Sequence, residues 1–188
     1  MPNNSEADEA IKALENLVKN LPKELAIISG KTARKGRSLI AKAVTEELAV
    51  TQKVVKKHIR VKTDIERTGA SIELRKSKRI GIQNFKARQT KAGVSYRISK
   101  TTGRTTATKA FMGPRPGVLA AKLYGGVFKR EFPHQRLPIY NLRGPSPWGV
   151  LRHQHKKRKR ITTELRAAYS KIAADRLRYQ RLKQSGAI

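Results

Sequence analysis

From Ala7 the apolar positions Ala10, Ile11, Leu14, Leu17, Val18 and Leu21 recur at spacings of three and four, which places them on one face of an amphipathic helix. Asn4 or Ser5 can cap it. Pro22 does not continue such a helix comfortably but suits the first turn of a new one. The pattern therefore predicts a break there and a second helix through Leu25, Ile28, Leu39, Ile40, Ala43, Val44 and Leu48, weakened in its middle by Gly30 and Gly36. Thr51 can cap a short third helix from Gln52 to about Arg60, with Val54, Val55 and Ile59 as its apolar strip. After Thr68-Gly69 the period changes to two. Ile72 and Leu74, then Ile80 and Ile82, then Val94, Tyr96 and Ile98 alternate with polar residues or glycine, as strands with one wet face do. Thr90-Lys91-Ala92-Gly93 reads as a hairpin turn, with Gly93 free to take a positive φ.

Residues 99–109 are rich in Thr, Gly and cations and show little periodicity, which predicts a mobile contact loop around Lys100 and Arg104. A strand is expected at Ala110–Met112. Glycines and prolines from Gly113 to Pro147 then leave room only for short strands, around Val127-Phe128 and from Leu137 to Leu142. The last element predicted is a helix from His155 to about Gln184, with Leu165, Ala168, Tyr169 and Ile172 along one face and bases or polar residues on the other. So narrow a strip suits docking on a sheet or a neighbouring subunit. There is no tandem repeat. Together these elements predict an α+β fold, N-terminal helices packed on an antiparallel β-sheet with a long basic C-terminal helix. One domain is expected over residues 1–188: a helical part (1–68), a β-rich part with loops (69–150) and a C-terminal basic arm (151–188).

Charge changes the picture. The chain carries 43 Lys and Arg against 13 Asp and Glu, a formal +30. Ten acids and fourteen bases lie at or before Glu73, so the segment from Leu74 onward holds +26. That segment repels itself unless a polyanion or an acidic protein surface neutralises it. The densest run is Lys156-Lys157-Arg158-Lys159-Arg160, which suits contact with phosphates or an acidic partner and equally suits a solvated basic arm.

Chemistry is sparse by comparison. With no cysteine, disulfides, thiolate metal sites and cysteine nucleophiles are excluded. His58, His134, His153 and His155 are scattered, and neither a zinc-protease pattern nor a phosphate-binding glycine loop appears. No enzyme, cofactor or metal is expected. The acidic opening residues do not resemble a signal peptide, and no stretch reaches the roughly 20 apolar residues of a membrane span, so a soluble chain without membrane contact is expected before assembly. Residues Arg136 to Leu151 combine apolar anchors with rigid turns: Leu137, Ile139 and Leu142 can grip a core, while Trp148 either meets a partner or is buried in the chain's own core.

The order of these elements resembles the minor tail protein Z family of lambda-like phages. The residues that carry the likeness are the opening Ala10-Ile11-Lys12-Ala13-Leu14-Glu15-Asn16-Leu17, the basic Val54-Val55-Lys56-Lys57-His58-Ile59-Arg60, Phe128-Lys129-Arg130 leading into Arg136-Leu137-Pro138-Ile139, and Gly144-Pro145-Ser146-Pro147 before the closing helix. The resemblance implies a structural virion protein that completes the tail of a long-tailed phage, or joins head to tail, at the tail's head-proximal end. It implies location in the virion, with the host cytoplasm as the place of assembly. Its partners would be the tail tube, tail terminator, head-tail connector and other neck proteins, and its own copies in a ring, six by resemblance, with head-to-tail contacts.

On this reading Lys156, Lys157, Arg158, Lys159, Arg160, Lys100 and Arg104 are candidate partner or DNA contacts. Leu137, Ile139, Trp148, Leu165, Tyr169 and Ile172 are candidate subunit-interface residues. Most of the charge is expected to face acidic neighbours, because a strongly cationic channel would hold DNA that must slide. A few bases near the lumen remain available to a DNA end. The rival class is a basic RNA-binding or ribosome-associated protein, although no recognition helix, zinc finger or aromatic RNA-binding signature is present and aromatics make up only 5% of the chain.

Overall fold

A computed structural model of the chain describes residues 4–64, 66, 68–113, 125–132 and 138–184, with side chains described from residue 19 to 183. The fold is α+β. In order, the elements are helix α1 (Asn4–Glu47), helix α2 (Gln52–Lys57), strands β1 (Ile59–Asp64) and β2 (Gly69–Leu74), a 3-10 turn (Ile82–Asn84), strands β3 (Arg88–Thr90), β4 (Gly93–Tyr96), β5 (Thr105–Thr108), β6 (Ala110–Met112), β7 (Val127–Arg130) and β8 (Ile139–Asn141), and helices α3 (Pro147–Arg152) and α4 (His155–Gln184). The strands form three small sheets, β1-β2, β3-β4-β5 and β6-β7-β8, rather than the single sheet expected. The chain divides into two compact units. Unit 1 comprises residues 1–37, 61–73 and 160–188, and unit 2 comprises residues 38–60 and 74–159.

In unit 1, α1 runs through Pro22 without the predicted break. An internal proline removes one helical hydrogen bond and costs about 3 kcal/mol. Tertiary contacts just beyond it offset that cost. Arg176 of α4 donates to Glu24 through Nε (2.5 Å) and Nη2 (3.0 Å), and Gln180 Nε2 donates to the same carboxylate (2.7 Å). Ala26, Ile28 and Ala33 are buried in the following turns. Gly36 is not a weak point but a place of close approach: a Cβ there would lie 2.6 Å from Ile72 Cδ1 and 3.0 Å from Leu165 Cδ2. The missing side chain lets β2 and α4 pack onto the helix.

In unit 2 the last turns of α1 bury Ile40, Ala41, Ala43 and Val44, the three-and-four spacing that the sequence shows. Val55, Ile59, Ile80, Ile82, Phe85, Val94, Val127 and Leu151 are buried in the same unit. The helix end is tied to the chain after β4, with Ala49 N–H donating to Ile98 O (2.8 Å) and Lys100 N–H to Glu47 O (2.8 Å). Ile59 and Arg60 belong to β1, so the third helix stops at Lys57, with no side-chain cap from Thr51. The β3–β4 hairpin matches expectation, pairing Thr90 with Gly93 around Lys91-Ala92, and Gly93 has φ +144°.

Two further expectations fail in unit 2. Ile80 and Ile82 lie in no strand. Gly81 instead makes a lone antiparallel bridge to Arg143, and the backbone N–H groups of Ile80 and Ile82 are taken up by residues 142–145. Residues 99–109 are not one mobile loop either, since Thr105–Thr108 form β5 against β4. Lys109 then takes a left-handed φ of +59° and its N–H donates to Ala92 O (3.1 Å). That kink ends β5 and sends the chain into β6 of the next sheet.

Residues 142–147 form a strap. Leu142 N–H donates to Val127 O (2.8 Å), Ile82 N–H to Leu142 O (3.2 Å), Gly144 N–H to Ile80 O (2.7 Å) and Ile80 N–H to Pro145 O (3.2 Å). Ser146 then caps α3, its Oγ accepting from Gly149 N–H (3.1 Å), with fully buried Pro147 as the first helical residue. The strap passes so near the fully buried Phe85 ring that a Cβ on Gly144 would sit 2.6 Å from Phe85 Cε2. Gly144→Ala is expected to lose about 1–3 kcal/mol by overpacking. Gly103→Ala, whose Cβ would meet nothing within 4 Å, should stay within about 0.5 kcal/mol. Urea denaturation of the two variants checks the difference.

Candidate functional site

The cationic surplus that the sequence places after Glu73 falls mostly in one of the two units. Unit 2 holds 27 Lys and Arg against three acids, Glu46, Glu47 and Glu131, a formal +24, while unit 1 holds 16 against ten, or +6. Three carboxylates cannot neutralise 27 cations. All three are also engaged inside the unit. Lys157 Nζ donates to Glu47 Oε1 (2.7 Å) and lies 3.7 Å from Glu46 Oε2, Gln154 Nε2 donates to Glu47 as well, and Tyr140 OH donates to Glu131 (2.6 Å).

The arginines that shape unit 2 bind backbone carbonyls. Arg79 donates to Gly144 O (3.0 Å) and Arg143 O (3.2 Å), fastening the strap. Arg97 gathers the carbonyls of Ser99, Lys100 and Thr102. Arg104 reaches Lys86 O (2.8 Å), Ser95 O (2.9 Å) and Ser95 Oγ (3.0 Å). A carbonyl accepts a hydrogen bond without cancelling the formal charge. Each staple therefore orders a loop while leaving its positive field directed outward.

This geometry divides the predicted contact residues. Lys100 is exposed, on a loop ordered by Arg97. Arg104 is exposed too, but its guanidinium is engaged as a staple. The run from Lys156 to Arg160 forms the first turns of α4, and helical spacing splits it. Lys157 turns toward Glu46 and Glu47, whereas Lys156, Arg158, Lys159 and Arg160 are exposed. Arg158 Nη2 also lies 2.7 Å from His155 Nδ1, and Arg160 pairs with Glu164 one turn on (3.7 Å).

The predicted interface residues are divided between the two units. Leu137 lies outside the described residues. Ile139 and Trp148 belong to unit 2, both part-buried, and Arg152 stacks over the Trp148 ring at 5.1 Å from its centroid. Leu165, Tyr169 and Ile172 belong to unit 1. There Leu165 packs at Gly36, Ile172 is part-buried and Tyr169 is 41% exposed. Sequence reasoning missed Arg79, Arg97, Gln154 and the Glu24–Arg176 pair. Spacing carries no signal for most of these contacts, whose partners lie 64 to 152 residues away in the chain.

Among the described residues no group of three His, Cys, Asp or Glu could hold a metal, and no described helix is long and apolar enough to cross a membrane. His58 is accounted for locally, its Nδ1 lying 2.9 Å from Val54 O one turn back, and His134 lies outside the described residues. What this arrangement can do is attract and hold anions. Comparison of the chain with family models, with curated proteins and with solved structures finds no match in any of the three.

The hydrogen bond from Lys157 holds the Glu47 carboxyl below its ordinary range, and that from Arg176 does the same for Glu24. A depressed folded-state pKa stabilises the fold above the unfolded value, about 4.3 for Glu, and that stability is lost as pH falls through the folded value. Glu24→Gln should therefore flatten the acid limb of a stability-against-pH curve. Lys157→Ala should cost on the order of 0.5–1 kcal/mol, kept small because Glu47 is partly solvated. The neighbouring Lys156→Ala should be nearly neutral, and thermal melts at pH 7 compare the two.

Proposed function

We propose that this chain is a non-enzymatic structural protein of a long-tailed bacteriophage, acting in tail completion or head-tail joining at the head-proximal end of the tail. The observation that carries the structural part of this reading is the +24 excess of unit 2, whose few carboxylates are all engaged internally. A surface with that excess is relieved when assembly supplies opposing negative charge. The tail itself is supported by the resemblance of the element order and of the Gly144-Pro145-Ser146-Pro147 approach to the closing helix. Its copies would form a ring of six with tail-tube, terminator and connector proteins as neighbours, within the virion after assembly in the host cytoplasm.

The exposed cations Lys100, Lys156, Arg158 and Lys159 are the residues to which acidic neighbours would dock, and a DNA end would meet the same chemistry. Quantitative mass spectrometry of purified particles tests the reading, with an expected stoichiometry near one ring per tail. Lys156→Glu combined with Lys159→Glu should lower the yield of infective tails while leaving the melting temperature of the subunit nearly unchanged. Absence of the chain from particles, together with tight RNA binding whose logarithm falls steeply with the logarithm of salt concentration, would replace this function with the RNA-binding one.

A further inference from the structure

Within unit 1, α1 and α4 pack antiparallel. Gly36 meets Leu165, and twelve residues earlier Glu24 holds Arg176 and Gln180. Around the Glu24–Arg176 pair lies an open groove of about 630 Å³ whose apolar lining includes Leu21, Leu25, Ile28, Tyr169, Ala173 and Leu177. Several of these side chains are left in water, with Leu177 61% and Leu21 54% exposed. Lys23 and Lys183 line the same groove, and the charge of Glu24 is already balanced by Arg176. The α4 segment 160–184 carries seven bases against two acids. The groove thus combines apolar side chains with an excess of cations around the Glu24–Arg176 pair, which fits an acidic amphipathic helix.

The chain contains such a helix and holds it away from its own groove. In the register set by Glu24 and Arg176, α4 ends at Gln184 roughly opposite residue 16, whereas α1 begins at Asn4. Residues 4–19 carry Ala10, Ile11, Leu14, Leu17 and Val18 at helical spacing, with Glu6, Asp8, Glu9 and Glu15 against Lys12 and Lys19. At 1.5 Å per residue this segment is about 24 Å long, close to the roughly 21 Å of α4 from Tyr169 to Lys183. Because α1 is unbroken through Pro22, these turns continue its axis and do not fold back between α1 and α4 of the same chain.

We propose that residues 4–19 of one copy dock into the α1–α4 groove of a second copy. Each copy is then both donor and acceptor, and head-to-tail repetition of this contact propagates until a ring closes. This deepens the ring reading above by naming the joining surfaces, and rests on it for self-association. Incorporation into tails and cross-linking of the purified chain fail separately, so the two can be told apart.

The absence of native cysteine makes the test clean. Two full-length single-cysteine variants, Ile11→Cys and Leu177→Cys, are mixed and oxidised, and the linked peptides are identified by mass. Ile11 is central in the donor segment and Leu177 lines the groove, so the pair can meet in several registers. The expected product is the mixed disulfide between the two variants. Glu6→Lys, Asp8→Lys and Glu9→Lys together in the donor should lower its yield roughly tenfold, and Lys23→Glu with Lys183→Glu in the acceptor should restore it. Links only between identical variants would overturn the proposal, as would absence of any link from protein that sediments as a monomer at about 100 µM, where weak contacts are populated.

Discussion

Guanidinium groups bound to backbone carbonyls are what allow the cationic unit to hold its shape. Arg79 and Arg97 each gather two or three carbonyls from segments outside the named strands, and Arg104 ties the loop at Lys86 to Ser95 of β4. Buried or half-buried carbonyls need donors, and charged donors make stronger bonds than neutral ones. Were the same arginines satisfied by carboxylates, the loops would lose their ties and the surface its surplus charge. Unit 1 follows the other rule. There Arg176 pairs with Glu24 and Lys62 with Glu73 at 2.6 Å, and the local charge stays near balance.

This division of labour gives the surface its function in the reading proposed above. A cation stapled to carbonyls is ordered yet still electrostatically available, so an incoming acidic surface gains attraction without displacing an existing ion pair. Lys157 is the exception within its run, since it links α4 to the end of α1. Four cations around it remain exposed. One short basic run thus both anchors a helix and presents charge.

Packing of the apolar groups follows a second constraint, close approach. Gly36 admits Ile72 and Leu165 to the face of α1, and Gly144 admits the Phe85 ring to the strap. Both glycines lie where two elements distant in sequence come nearer than a methyl group allows. The same α1 that provides this packing face also continues to Asn4, which leaves an amphipathic stretch suited to another copy.

Much of the architecture was legible in the chain itself. The three-and-four spacing of Ile40, Ala43 and Val44, the alternation at Val94 and Tyr96, the turn at Gly93 and the limits of the closing helix at His155 and Gln184 are local properties, set by periods of 3.6 and 2. The cationic surplus was legible too. Tertiary structure alone decided that α1 passes through Pro22, because contacts made by residues 176 and 180 outweigh a local penalty. It also decided that Ile80–Ile82 bridges a strap instead of joining a sheet, and that Lys157 and Arg104 meet acceptors which folding brings to them. Periodicity depends on adjacent residues, but an ion pair or a stapled carbonyl depends on groups that the chain brings together only after it has closed loops of many tens of residues.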